Sequence, residues 1–436
     1  MESKISESRK LENVVSNSSF VLSRPITLPC GMRLENRFAK AATSEQLADY
    51  KSGDPTEDLA VLYERWARGG PGLIITGNVM VTKSGIGEAG NVYNRDKAPI
   101  ALYNRWAEAA QSYGAACFMQ LNHAGRQVIR ILNPDPVAPS EIPLRIGGMF
   151  AKPRALFQDE IRDIVRAFAT TASLARESGF SGVQLHGAHG YLISQFLSPL
   201  SNQRTDSYGG SLDNRMRFLI ECYRAVRSAC GKQFPVSLKL NSADFLRGGF
   251  ASHEAAIVAR ILAEEGIDLL EISGGTYEKP EMLLEGAGRI KRSTIVREAH
   301  FVDFARLIRN TVTCPLMLTG GLRTPSKIEE LIKEGSIDIA GMARPLIMEP
   351  DLPREFIQGR IKPALTPFTV SWPISRLPSL AAGLDMYYYT QQMKRMSAGL
   401  EPAKPTSSVL RLVQLLFSAF KKSTFLRSTR NNGETK

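Results

Sequence analysis

A chain of 436 residues with 43% hydrophobic and 22% charged residues has ample material for a large core, which excludes disorder over most of its length. Its net charge of +12 would point to a nucleic-acid partner if the basic residues made one face, but from Gln391 to Lys436 nine Lys or Arg stand against two Glu, so the excess describes a tail and no nucleic-acid partner is expected. Five cysteines without a C-x-x-C spacing, a charged N-terminus without an apolar h-region and no apolar run of spanning length lead us to expect a soluble, cytoplasmic protein with reduced thiols.

Residues 1–19 read as a flexible N-terminus, and PITLPCGMRLENRF, from Pro25, reads as a small hairpin placed to plug a barrel end. Eight short apolar, β-branched runs follow: RFAKAAT near Phe38, GLIITGN near Leu73, ACFMQLN near Phe118, GVQLHG near Val183, PVSLKLN near Leu238, LLEISGG near Leu270, PLMLTGG near Leu316 and IDIAGMARP near Ile339. Several lack a polar face, as strands of a parallel sheet covered on both sides must. Between them, EIRDIVRAFATTASLARESG, NRMRFLIECYRAVRSACG, HEAAIVARILAEEG and PSKIEELIKEG carry apolar residues at helical spacing, most of them ending at glycine. This alternation predicts an α/β fold, a (β/α)8 TIM barrel over residues 20–365 with an N-terminal hairpin cap.

Residues 366–436 read as a C-terminal helical extension within a text punctuated by proline from Pro350 to Pro405. Near its end Val409, Leu410, Leu412, Val413, Leu416, Phe417 and Phe420 recur at helical spacing, with Lys421, Lys422, Arg427 and Arg430 behind them and a disordered end. The apolar face of this helix is expected to pack on the barrel or on another subunit of a homo-oligomer; weak contact with an anionic membrane surface is the rival reading.

GIGEAG, Gly85 to Gly90, spells a dinucleotide-binding turn, but the polar NVYNRDKAP follows it where a helix is required, so it reads as a barrel loop. The runs LTGGLRTPSKIEEL and AGMARPLI put Gly320, Gly321 and Arg344 in the loops after strands seven and eight, where such barrels bind a phosphate. In GVQLHGAHGYLISQFLSP, His186, His189 and Tyr191 fall at the C-terminal end of strand four, the face that carries barrel active sites. If the chain leaves that strand in a helix-like turn, two histidines three apart can donate to one carbonyl oxygen, with the tyrosine as proton source. A metal reading needs a third ligand, and no carboxylate or cysteine in the segment has that spacing.

The stretch Gly182 to Glu221, with MQLNHAGRQ at Met119 to Gln127, closely resembles the signature segments of the Old Yellow Enzyme family of FMN-dependent ene-reductases, in its single-domain, FMN-only form. The resemblance spans roughly residues 20 to 350. It implies FMN as cofactor, NADPH or NADH as co-substrate, and reduction of the activated C=C bond of an α,β-unsaturated carbonyl compound. It implies that Ala41, Ala42, Thr43 and Ser44 pass the flavin, that Ser44 tunes it through O4, and that Gly77 marks a close approach. Gln120 would contact the pyrimidine edge, Lys239 would stand where many relatives have an arginine near N1 and O2, and Gly320, Gly321, Ala343 and Arg344 would hold the phosphate. His186 and His189 would bind the substrate oxygen and Tyr191 would donate the proton. The AAT stretch departs from the family's proline-containing form. A second reading gives the same flavin site a redox-neutral isomerisation or an oxidation on a biosynthetic intermediate.

Overall fold

All eight apolar runs become strands: β1 Phe38–Lys40, β2 Leu73–Met80, β3 Ala116–Asn122, β4 Gly182–Gly187, β5 Val236–Asn241, β6 Leu269–Ser273, β7 Leu316–Thr319 and β8 Ile339–Met342. The structure is a computed structural model that describes residues 21–95, 97–146, 148–274, 302–365 and 378–403, with the helical backbone alone for 378–382. Neighbouring strands pair in parallel and in chain order, and β8 returns to β1 with Ala340 beside Phe38, which closes a (β/α)8 TIM barrel.

Closure sorts every strand by its period of two. Val236, Leu238 and Leu240 of β5 enter the core between strands and helices, as do Cys117, Met119 and Leu121 of β3. The residues between them turn into the barrel. The outer core is filled by edge-to-face rings: Tyr63 against Trp66 (5.1 Å) and Trp106 (5.2 Å), and Trp106 against Phe180 (5.4 Å). Each such pair contributes about 0.5–1.5 kcal/mol beyond its buried area.

The four helices expected from spacing run Gln158–Glu177, Leu212–Cys230, Ser252–Glu264 and Pro325–Lys333; Glu57–Arg68, Ile100–Gln111 and 302–309 join them. Their starts are written locally. The Ser211 hydroxyl accepts from the Asn214 N–H at 3.3 Å, the Glu254 carboxylate accepts from the Ala251 N–H at 3.0 Å, and Pro325 opens its helix. After GIGEAG the chain makes a short strand, Val92–Tyr93, beside β2 before the next helix begins at Ile100, so no helix N-terminus stands there.

The N-terminal hairpin pairs Ile26–Thr27 with Arg33–Leu34 and inserts Leu28 and Leu34 among Ala39, Leu73, Phe118, Leu269, Met317 and Ile339 inside the barrel. The Cys30 N–H adds a hydrogen bond to Asp268 Oδ1 at 2.9 Å. This end is sealed by apolar packing, which leaves the C-terminal end for chemistry.

The stretch from Pro350 to Pro405 holds more structure than its prolines suggest. A 20-residue helix, Pro378–Ser397, packs on the helices Glu57–Arg68 and Arg344–Met348. Leu384, Tyr388, Tyr389, Met393 and Met396 are buried at helical spacing, but buried Asp385, Thr390 and Gln392 interrupt the stripe and hide it from a hydropathy reading. The amphipathic helix expected from Val409 to Phe420 and the flexible residues 1–19 lie outside the described residues.

Replacing Leu34, 1% exposed, with alanine should lower the stability measured by urea unfolding by about 2–5 kcal/mol. Because the plug lies at the N-terminal end of the barrel, away from the expected cofactor site, binding of the FMN that the resemblance implies should stay unchanged.

Candidate active site

The inward side chains change character along the barrel. Above the apolar layer, Gln120, Gln184, Lys239 and Glu271 form one buried chain from four consecutive strands. Gln120 Nε2 donates to Gln184 Oε1 (2.7 Å), Gln184 Nε2 donates to Glu271 Oε2 (2.8 Å), and Lys239 Nζ lies 2.8 Å from Glu271 Oε1. Lysine and glutamate together can be buried here because each meets its partner and the amides satisfy the remaining oxygen.

His186 is the β4 register partner of Lys239, so it stands beside this chain. The turn that follows differs from the helix-like one expected. His189 takes a left-handed φ of 60°, its N–H donates to Asn241 Oδ1 (3.1 Å), and the helix Leu192–Leu197 begins only after Tyr191. Tertiary contact, not helical spacing, therefore brings the pair together. The His186 and His189 rings meet edge to face at 5.1 Å, and His186 meets Tyr191 at 4.9 Å. The Ala188 N–H donates to His186 Nδ1 (3.3 Å), which leaves the His186 proton on Nε2. His189 Nε2 is hydrogen-bonded to the Ser273 hydroxyl at 2.8 Å.

Burial holds both imidazoles well below their usual range, with the charge of Lys239 adding to it. They are neutral N–H donors at neutral pH. His123, at the end of β3, is pushed down to about 4 by burial.

The KAATSE stretch is shaped from behind. Lys40 points out of the barrel, where its Nζ donates to Ala41 O and Thr43 Oγ1, both at 2.8 Å, and sits 4.0 Å from the Trp66 ring centroid. Burial lowers this ammonium to about 7. Lys40 thus ties down the Ala41–Ala42–Thr43 turn. Ala41 faces the barrel interior, Thr43 Oγ1 donates to Met393 Sδ (3.6 Å) on the extension helix, and the Ser44 hydroxyl donates to Glu88 of the GIGEAG loop.

Gly77 lies within β2, at a bulge where the register with β3 shifts between Ile75 and Asn78. Its N–H donates to Glu45 Oε1 (2.8 Å), and a Cβ there would stand 2.0 Å from Glu45 Oε2 and 2.3 Å from Thr43 O. The glycine is demanded by this crowding. After β7, Gly320 and Gly321 take φ of 135° and 79°, and Ala343 precedes Arg344 at the start of the helix Arg344–Met348. Arg344 Nη1 lies 3.4 Å from Asp385 of the extension.

These donors fit FMN: a buried amide and ammonium below the histidines, then two left-handed glycines and an arginine on adjacent loops. Asn241 Nδ2 and Thr319 Oγ1, both buried at this level, have no hydrogen-bond partner among the described residues. Sequence reading missed Gln184, Asn241, Glu271, Ser273 and Asp385. The signal for the first and third was a polar residue inside an apolar run, GVQLHG and LLEISGG; Asp385 carried none.

Fold and polar face together define a flavin-dependent barrel oxidoreductase. The chain belongs to the NADH:flavin oxidoreductase / NADH oxidase family, whose model matches residues 21–362. It is 39% identical over 355 residues to the NADH-dependent flavin oxidoreductase iliE of Hypocrea jecorina (strain QM6a), covering 76% of this chain and 88% of that protein. Among solved structures it resembles the old yellow enzyme homologue from Zymomonas mobilis, with a TM-score of 0.66 and 26% identity over 81% of this chain and 98% of that one. It also resembles morphinone reductase, with a TM-score of 0.64 and 26% identity over 79% and 91%. It is an NAD(P)H-dependent flavin oxidoreductase of the Old Yellow Enzyme type that uses FMN. No helix among the described residues is long and apolar enough to cross a membrane.

As pH falls through about 6.5, unfolded chains protonate His123, His186 and His189 while the folded protein does not, so stability is lost toward acid pH. Urea midpoints should therefore drop from pH 7 to pH 5, and His123→Gln should flatten part of that slope.

Proposed function

We propose that the protein reduces the activated C=C bond of an α,β-unsaturated carbonyl compound, with NADH or NADPH as the electron source. One observation carries this reading: two neutral histidines and a tyrosine converge at the open end of the barrel, with ring centroids 5.1 and 4.9 Å apart. When bound, FMN would supply the hydride chemistry that links the nicotinamide to the enone. Gln120 and Lys239 would hold its pyrimidine edge, and Gly320, Gly321, Ala343 and Arg344 its phosphate.

His186, protonated on Nε2, donates to the substrate oxygen, and His189 is the second donor, its tautomer set by Ser273. Because both are uncharged, they polarise the carbonyl without giving up a proton to it. Negative charge then collects on that oxygen as the β carbon is attacked, and two aimed donors stabilise it most in the transition state. The Tyr191 hydroxyl delivers the proton to the α carbon. Deep burial of His186 and Tyr191 keeps water from competing for that position.

The test is anaerobic. Flavin bands that bleach with NADH or NADPH and return with 2-cyclohexenone establish both half-reactions; a failure to reoxidise overturns the enone assignment. Turnover of a carbonyl substrate with no added nicotinamide would instead favour redox-neutral isomerisation. Tyr191→Phe should slow the enone step by about 100- to 10,000-fold in stopped flow and leave flavin reduction unchanged. Loss of either histidine should cost about 100- to 1,000-fold in the same step.

A further inference from the structure

Glu271 belongs to neither the histidine pair nor the phosphate loops, yet it is the carboxylate that pairs with Lys239 inside the barrel. We propose that Glu271, acting through Lys239, sets the reduction potential of the bound flavin by cancelling the charge at its N1–O2 edge. This rests on the reading that places Lys239 at that edge.

The two residues are register partners on β5 and β6, 3% and 0% exposed, with Nζ and Oε1 2.8 Å apart. His186 flanks Lys239 on its other side. The second oxygen of Glu271 is anchored by Gln184, itself held by Gln120, so the carboxylate cannot swing away from the lysine. A lone ammonium there would strongly favour the negative charge that gathers on N1 and O2 as the flavin is reduced. With Glu271 at contact distance, the two charges sum to zero and only a dipole remains. The reduced cofactor is therefore less stabilised and gives up its electrons to an acceptor more readily than beside an unpaired cation.

The experiment is the two-electron midpoint potential of bound FMN, measured against redox dyes in the full-length holoprotein. Glu271→Gln keeps the size of the side chain and should favour the reduced form by about tenfold, which for two electrons is a rise of about 30 mV. Lys239→Gln leaves Glu271 uncompensated and should lower the potential. The double variant Lys239→Gln/Glu271→Gln, in which no buried charge is left alone, should recover from that low value toward wild type. This arm reads the charge of Glu271 even if the single Glu271 variant does not fold. A lowered potential in Lys239→Gln with no recovery in the double variant overturns the role of Glu271 and leaves Lys239 at the flavin. An unchanged potential in Lys239→Gln removes Lys239 from the flavin and the inference with it.

Discussion

Eight strands closed edge to edge leave an inward side chain only two routes to solvent, the ends of the barrel, and one of those is plugged. Leu28 and Leu34 fill the N-terminal mouth together with Phe118, Leu269 and Met317, so polar groups placed inside must either satisfy one another or open to the other mouth. Both happen. Gln120, Gln184, Glu271 and Lys239 complete one another one layer up, with His186 beside Lys239 and Asn241 and Ser273 at the strand ends. The division between a sealed apolar base and a polar rim places the chemistry before any loop is considered.

The rim is then held by side chains that never enter it. Lys40, behind β1, tethers the Ala41–Thr43 turn from the outside, and Glu45 fixes the bulge at Gly77 through its N–H. The extension helix reaches the same edge twice, through Met393 at Thr43 and Asp385 at Arg344. The family match ends at residue 362, so these two contacts come from a part of the chain beyond it. Rigid placement of donors from behind keeps them aimed without reorganisation at the moment of reaction.

Legibility followed the range of the forces involved. The barrel strands were readable because burial on both faces leaves each as an unbroken apolar run, and the helices because their apolar stripes recur every three or four residues. The histidine pair was readable as a pair but not in its geometry. A spacing of three suggests a helical turn, whereas His189 is held in a left-handed conformation while Asn241, on the next strand, takes its N–H. The extension helix was obscured because Asp385 is buried against Arg344, 41 residues away, and Gln392 accepts from the Ala403 N–H just past the helix, which breaks its hydropathy pattern.

Period and composition alone determine that this chain closes a parallel barrel, that its fourth-strand end carries His186, His189 and Tyr191, and that small residues follow the seventh and eighth strands, because these depend on neighbours within a few positions. Only the tertiary structure decides which buried charges meet. Glu271 in LLEISGG and Lys239 in SLKLN are separated by 32 residues and a helix, and nothing local distinguishes a carboxylate that cancels the lysine from one that faces water. Strand register puts them side by side, and a dry interior makes that adjacency matter.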